Sequence, residues 1–204
     1  KLAREEKIGQ KDHDRLEYAN IIKTIKKTET AGIRLEDIDL KFIAGLHKDL
    51  TEGLDIFAGN LPGFEPYHSG QWREDDETRV GTYVPAPHQE IKASVSELLQ
   101  WLSENRTVSG VAIFQAALYA IHPFKNGNKR VCRVLEDIIL KSLGYNKSSL
   151  YSVSYYYHKH NFSQARRHGC DPSPQRHCQP AAILNYTHTP PTTMVIMIVM
   201  IIMG

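Results

Sequence analysis

Apolar side chains recur along most of this chain at steps of three and four, the period of a helix with one buried stripe. Over residues 12–27 the stripe is Leu16, Ala19, Ile22 and Ile25, and over 35–50 it is Ile38, Phe42, Leu46 and Leu50. The period is then lost. Residues 51–87 are rich in Gly, Pro and charge, and Gly59-Asn60-Leu61-Pro62-Gly63 and Glu74-Asp75-Asp76-Glu77 read as turns. Within them, 78–84 gathers β-branched and aromatic residues around Gly81, which predicts a short strand or hairpin. Helical spacing returns over 89–102 with Ile91, Val95, Leu98, Leu99 and Leu102. Residues 109–121 are almost wholly apolar, as in a helix buried on all sides. A polar turn leads to a further helix over 128–143 with Val131, Val134, Leu135, Ile138, Ile139 and Leu143 inward, and Gly144 stands where a helix stop is expected. Residues 148–160 are read as a last helix. The predicted fold class is mainly α, with one small β-hairpin.

These elements divide the chain into a linker over 1–11, one domain over 12–161 and an atypical tail over 162–204. Five of the ten prolines lie between Pro172 and Pro191, and the tail has no helical period. Its apolar run, Met194 to Met203, is far short of the roughly 20 residues that span a bilayer. A change of character this abrupt also fits a shifted reading frame, so the tail carries no functional weight. The chain opens Lys-Leu-Ala-Arg-Glu-Glu, without an initiator Met or an apolar leader, and reads as a piece of a longer protein.

A net charge of +2, with basic residues scattered among acids, argues against nucleic acid or an anionic membrane as partner. Three sparse cysteines, Cys132, Cys170 and Cys178, give no disulfide framework and fit a reducing compartment, so a cytoplasmic location is expected.

The segment His122-Pro123-Phe124-Lys125-Asn126-Gly127-Asn128-Lys129-Arg130-Val131-Cys132-Arg133 does change the picture. A very apolar helix ends at a polar turn and another helix starts there. The first turn of a helix presents free backbone N–H groups and the positive end of the dipole, where Asp or Glu is favoured. Here Lys129, Arg130 and Arg133 occupy those positions, an arrangement that costs stability unless an anion lies over the helix start. Backbone N–H groups from Gly127 to Lys129 and the arginine forks would make a phosphate site. Gly127 allows close approach, and Asn128 is placed to cap the helix or to donate to a phosphate oxygen. His122 is the one side chain there that exchanges protons near neutral pH, which suits it to deprotonate a hydroxyl. The bland reading is a structural histidine, with Arg133 paired to Glu136 or Asp137 on its own helix. From the chemistry alone the two readings stand about level.

This segment resembles the signature of Fic-domain proteins, His-Pro-Phe-x-(Asp/Glu)-Gly-Asn-Gly-Arg-x-x-Arg, at His122, Pro123, Phe124, Gly127, Asn128, Arg130 and Arg133. Tyr67-His68-Ser69-Gly70-Gln71-Trp72-Arg73, followed by Val80-Gly81-Thr82-Tyr83-Val84-Pro85, is similar to the family's Ser-Gly-x-x-Arg stretch and β-hairpin flap. Leu16 to Ile25 resembles the helix that precedes the domain. The resemblance implies a Fic-type helical bundle and AMP transfer from ATP, with Mg²⁺, to a Ser, Thr or Tyr hydroxyl of a target protein, with the chain itself as one candidate target. It makes His122 the general base and Phe124 the anchor of the loop. Gly127 and Asn128 become the anion hole, and Arg130 and Arg133, with Lys129 beside them, hold phosphates. Thr78, Arg79, Val80, Gly81, Thr82 and Tyr83 become a flap that docks the target. Many members form homodimers; nothing in this sequence decides that.

The departures matter as well. Asn126 replaces the usual acid and is a weak, neutral candidate ligand for Mg²⁺, so weaker metal binding and lower activity are expected. Lys129 replaces a glycine. The Asn-Lys-Arg run resembles the Doc branch, which transfers phosphate, whereas the retained Arg133 favours AMP. A catalytically weak nucleotide-binding domain is the third reading. The family's inhibitory Ser/Thr-x-x-x-Glu-(Gly/Asn) motif has no convincing copy, and the expectation is that it lies upstream of Lys1 and leaves Arg133 free. His168, Cys170, His177 and Cys178 lack the spacing of a zinc site. Cys132 reads as a packing residue, with a thiolate stabilised by its flanking arginines as the minor alternative.

Overall fold

Caps and glycines set the helix boundaries. The computed structural model describes residues 9–58, 60–61, 64–79 and 83–145. Among them α1 spans Gln10–Ala31, α2 Leu40–Thr51, α3 Ile91–Glu104, α4 Val108–Ile121 and α5 Asn128–Ser142. Short 3₁₀ turns cover Leu35–Asp37, Leu54–Phe57 and His88–Glu90. The helix expected from residue 35 begins at Leu40, because the Asp39 carboxylate accepts the Phe42 N–H at 2.7 Å and caps α2 there. Thr107 caps α4 in the same way, its Oγ1 accepting from the Gly110 N–H at 3.0 Å. After α5, Gly144 takes φ +83° and Tyr145 N–H reaches back to the Leu140 carbonyl, closing the helix as its sequence predicts.

α4 is the central helix. It packs against α3 on one side and α5 on the other, while α2 closes the bundle against α5 and α1 lies on α2. Ile43, Leu46 and Leu50 of α2, Val95 and Leu98 of α3, Phe114 and Leu118 of α4, and Leu135 and Ile139 of α5 form one core. A smaller cluster of Leu54, Phe57 and Tyr67 sits under the first loop, with Leu16 and Phe64 packed on it.

Three expectations need correction or limits. Of the expected stripe of α1, Leu16 does pack inward, but Ile22 and Ile25 are only partly buried and Ala19 is exposed; the fully buried positions are polar, His13, Asn20 and Thr24. The reason is where α1 lies. Asn20 Nδ2 donates to the Leu50 and Glu52 carbonyls, 3.4 and 2.8 Å away, and satisfies the end of α2. Lys23–Glu52 and Lys27–Asp49 ion pairs flank it. A helix laid over carbonyl ends needs polar groups inward. The hairpin expected at 78–84 is not shown: Thr78 and Arg79 have no regular structure, Tyr83 makes a single β-bridge, and Val80, Gly81 and Thr82 lie outside the described residues. The helix expected at 148–160 and the tail also lie outside them. Among the described residues no helix is long and apolar enough to cross a membrane.

Candidate active site

α4 ends at Ile121, and His122 follows as its C-cap with φ +53°, ψ +62°, a left-handed conformation that non-glycine residues enter at a cost. Six residues later α5 begins. The turn between them is held from below by Phe124, which is fully buried and lies between two rings: His47 of α2 stacks on it at 3.9 Å and Trp72 at 5.1 Å. His47 is itself fully buried. Its Nδ1 accepts the Gly70 N–H at 2.9 Å, which fixes the tautomer with the proton on Nε2, and Nε2 then donates to the Asn126 carbonyl at 3.0 Å. Burial pushes its pKa down to about 4, so the ring is neutral under ordinary conditions.

The side chain of Asn128 closes the turn. Its Oδ1 accepts from the Phe124 N–H at 2.9 Å, and its Nδ2 donates to the Phe124 carbonyl at 2.7 Å. Asn128 is buried, and its amide is spent on the loop rather than turned toward a ligand. Gly127, φ +81°, is the N-cap of α5 and has no side chain to cap with. A Cβ there would meet His47 Nε2 at 3.2 Å and Thr51 Cγ2 at 3.3 Å, so glycine is required by both conformation and space. The Gly127 N–H is taken by Asn126 Oδ1 at 2.7 Å. The next two N–H groups, of Asn128 and Lys129, have no partner among the described residues, and the first turn of α5 carries no acid.

A cavity of about 1000 Å³ opens over this helix start. His122, Gly127, Lys129, Arg130 and Arg133 all line it, with Thr78 and Arg79 on the flank and Ile21 and Ile25 of α1 opposite. His122 is half-buried. Its Nδ1 is enclosed and makes no hydrogen bond of good geometry among the described residues. Burial lowers its pKa, against a smaller upward pull from the Tyr119 carbonyl, and the Arg73 guanidinium adds to the lowering. A neutral imidazole is the form that accepts a proton.

The two motif arginines differ. Arg130 donates from Nε to the Glu17 carboxylate of α1 and lies 5.3 Å from the centre of the Tyr67 ring. Tyr67 in turn shares a 3.1 Å hydrogen bond with His13 Nε2, and His13 Nδ1 is 3.7 Å from Glu17. Arg133 is exposed and has no ion pair or hydrogen bond among the described residues. The alternative partner Asp137 is bound to Lys141 at 2.7 Å. Lys129 is also exposed without a partner among the described residues. Cys132 is a packing residue: burial pushes its thiol up to about 12, so the thiolate alternative falls.

The amide of Asn126 fits a cation poorly. Its oxygen is committed to the Gly127 N–H, and its Nδ2 donates to the Glu65 carbonyl at 3.1 Å. Sequence reasoning gave no weight to Glu17 or His47 and saw Arg73 only as part of a resemblance. His47 had one signal, a lone histidine on the inward face of α2 beside Leu46 and Leu50. Glu17 had none, since its partner is more than a hundred residues away in the chain.

Comparison with known proteins bears on the same residues. The profile of the family described as the Fic/DOC family matches residues 37–140, just over half of the chain. Protein adenylyltransferase fic-1 of Caenorhabditis briggsae is 27% identical over 97 residues, which cover 45% of this chain and 19% of that protein. Protein adenylyltransferase Fic of Drosophila mojavensis is 24% identical over 118 residues, covering 55% and 23%. The matched part of this chain thus spans about a fifth to a quarter of the length of these relatives.

Proposed function

The chain belongs to the Fic/DOC family, and on that footing we propose that it is a protein adenylyltransferase, moving AMP from ATP to a hydroxyl of a target protein. One observation carries the reading. A neutral, half-buried imidazole and the open, cationic start of a helix line a single cavity, so a proton acceptor and a polyphosphate site share one space.

In this reaction His122 Nε2 takes the proton of a target hydroxyl as its oxygen attacks the α-phosphorus. The new O–P bond forms as the bond to the β-phosphate oxygen breaks, and pyrophosphate leaves. The N–H groups of Asn128 and Lys129 face the charge that develops, and Arg130 and Arg133 hold the leaving phosphates. Fixed donors of this kind contribute by positioning and need no reorganisation during transfer. Mg²⁺ enters with ATP as part of the substrate, carried by the phosphates, because the Asn126 amide is already engaged. Thr78, Arg79 and Tyr83, with Val80 to Thr82 between them, are the segment on which a target strand would dock. Names of the relatives, both adenylyltransferases, agree with this choice.

Phosphate transfer is the second reading, favoured by Lys129, an extra cation lining the cavity with no internal partner among the described residues. Intact-mass analysis after incubation with ATP and Mg²⁺ separates the two. A gain of one AMP, absent in His122→Ala, is the expected result; a gain of one phosphate would establish the second reading.

A further inference from the structure

Arg73 lies outside the motif, yet both its backbone and its side chain bind the turn that carries His122. Its backbone N–H donates to the Pro123 carbonyl at 2.9 Å. Its side chain is almost wholly buried, and Nε donates to the His122 carbonyl at 3.2 Å. Nη2 donates to the Ala86 carbonyl at 2.6 Å, and Nη1 donates to the Asp75 carbonyl and, at 3.3 Å, to Asp76 Oδ1. One guanidinium therefore joins the residue at the end of α4 to both ends of the segment from Asp75 to Ala86. A second link runs parallel to it: Lys125 of the turn pairs with Asp75 at 2.9 Å.

The chemistry of the arrangement is unusual. A buried cation is normally matched by a buried anion, since an unpaired one loses its hydration. Among the described residues the carboxylate within ion-pair distance of Arg73 is that of Asp76, whose side chain is half exposed, and the Asp75 carboxyl lies within reach of its charge. The burial is offset instead by three carbonyl dipoles, and one of them belongs to His122, which is in the left-handed region. A planar fork with five donors can hold three carbonyls in a fixed relation, and a lysine cannot. The His122 carbonyl is thereby tied on one side by Arg73, while its N–H is tied to the Leu118 carbonyl at 3.2 Å on the other. Both peptide groups of the base are held.

We infer that Arg73 is a positioning residue of the transfer reaction, one that fixes the backbone of His122 and with it the direction of its imidazole. The inference rests on the adenylyltransferase reading for its activity readout, so the test carries a second readout that needs no reaction.

The experiment uses the full chain as Arg73→Lys and Arg73→Ala beside the wild type. Self-modification with labelled ATP gives the rate at saturating ATP and the half-saturating ATP concentration. A ring ¹H–¹³C NMR correlation follows the His122 imidazole, identified by its loss in His122→Ala. Arg73→Lys keeps a charge and a native circular dichroism spectrum, and its rate at saturating ATP falls about 10- to 100-fold, the scale of a misplaced reacting group. Half-saturation stays within twofold, because Arg73 does not touch the start of α5. The His122 ring signals broaden or double, and ethylguanidinium restores part of the rate of Arg73→Ala. An unchanged rate with unchanged ring signals overturns the inference. So does a loss confined to ATP half-saturation, or an Arg73→Lys chain that no longer folds, which would make the residue structural only. If Arg73→Ala does not fold, the lysine variant decides. If the wild type transfers nothing, the adenylyltransferase reading fails, while broadened ring signals would still support the placement of Arg73.

Discussion

Replacing Asn128 by Ala tests what holds the turn that carries His122 together. The Asn128 side chain makes two hydrogen bonds, both to the backbone of Phe124, at 2.9 and 2.7 Å. Asn128 and Phe124 are both buried, so alanine strands one N–H and one carbonyl. A buried polar group without a partner costs about 1–3 kcal/mol. Two such groups sum to about 2–6 kcal/mol, and entry of one water would bring the loss toward the lower half, about 3 kcal/mol. That is a large share of a typical domain's 5–15 kcal/mol, and at roughly 2–4 °C per kcal/mol it lowers Tm by about 6–12 °C. Urea unfolding at constant m-value measures the loss directly. Asn128→Asp makes the sharper comparison. It keeps the acceptor for the Phe124 N–H but sets a carboxylate oxygen against the Phe124 carbonyl, a repulsion that raises the pKa of the new acid. Its deficit relative to wild type should therefore shrink as pH falls through that raised pKa. The opposite account is that Asn128 donates to a phosphate. Under it, Asn128→Ala would keep the wild-type urea midpoint and lose ATP affinity; that pair of results would refute the structural role.

Three further outcomes follow from the same geometry. Glu17→Gln removes the charge that holds Arg130, and a partly exposed ion pair is worth up to about 1 kcal/mol, so ATP affinity by calorimetry should rise about two- to fivefold; a fall would mean that Glu17 orders the site instead of competing for it. His47 binds a proton near pH 4 in the folded chain but near 6.5 when unfolded, so between those values the unfolded state holds more protons and stability drops as pH falls. The drop is at most about 3 kcal/mol, at about 1.4 kcal/mol per pH unit, and a His47→Gln chain that unfolds with the same pH slope over this window would exclude His47 as its source. Gly127→Ala puts a methyl group 3.2 Å from His47 and forces φ +81° on an L-residue, costing about 2 kcal/mol or more, with a matching loss of ATP binding; an unchanged melting temperature would show that the turn relaxes freely.

How much of this was legible depends on the range over which each signal acts. The stripes of α3, α4 and α5 appear in the sequence at their structural positions, because an apolar period and its caps are local. The stripe of α1 misled, since its buried face contacts the carbonyl end of α2 and a short loop, and polar residues win there for reasons no window of sequence contains. In the site, the placement of His122 beside a cationic helix start was legible from the order of residues alone. The division of labour within it was not. Asn128 reads as a ligand-facing amide, and only the fold shows that both its hydrogen-bonding ends are taken by Phe124. Arg130 and Arg133 read as equivalent forks one turn apart, yet α1 reaches one and leaves the other exposed. Arg73, His47 and Glu17 act across 49, 79 and 113 residues of chain, so their partners could not be guessed from spacing.

The charges at the start of α5 are what supports the proposal that a polyphosphate binds there. Lys129, Arg130 and Arg133 stand in or next to the first turn, where each exposed cation works against the dipole by about 0.3–1 kcal/mol. The apolar stripe Val131, Leu135, Ile138 and Ile139 stabilises the helix by far more than that, so α5 forms in spite of them. Folding alone therefore gives no reason for the three cations. Glu17 meets the charge of Arg130 but, among the described residues, nothing meets that of Lys129 or Arg133. Among the described residues two positive charges without a counter-charge stand beside two N–H groups without a partner, lining a cavity large enough for a nucleotide. A polyphosphate would supply that missing counter-charge, and its distal groups would take Arg130 from Glu17 only by binding it better than a single carboxylate does. Each added phosphate would improve that exchange, so calorimetry is expected to show tighter binding of ATP than of AMP, and equal affinities would refute the reasoning.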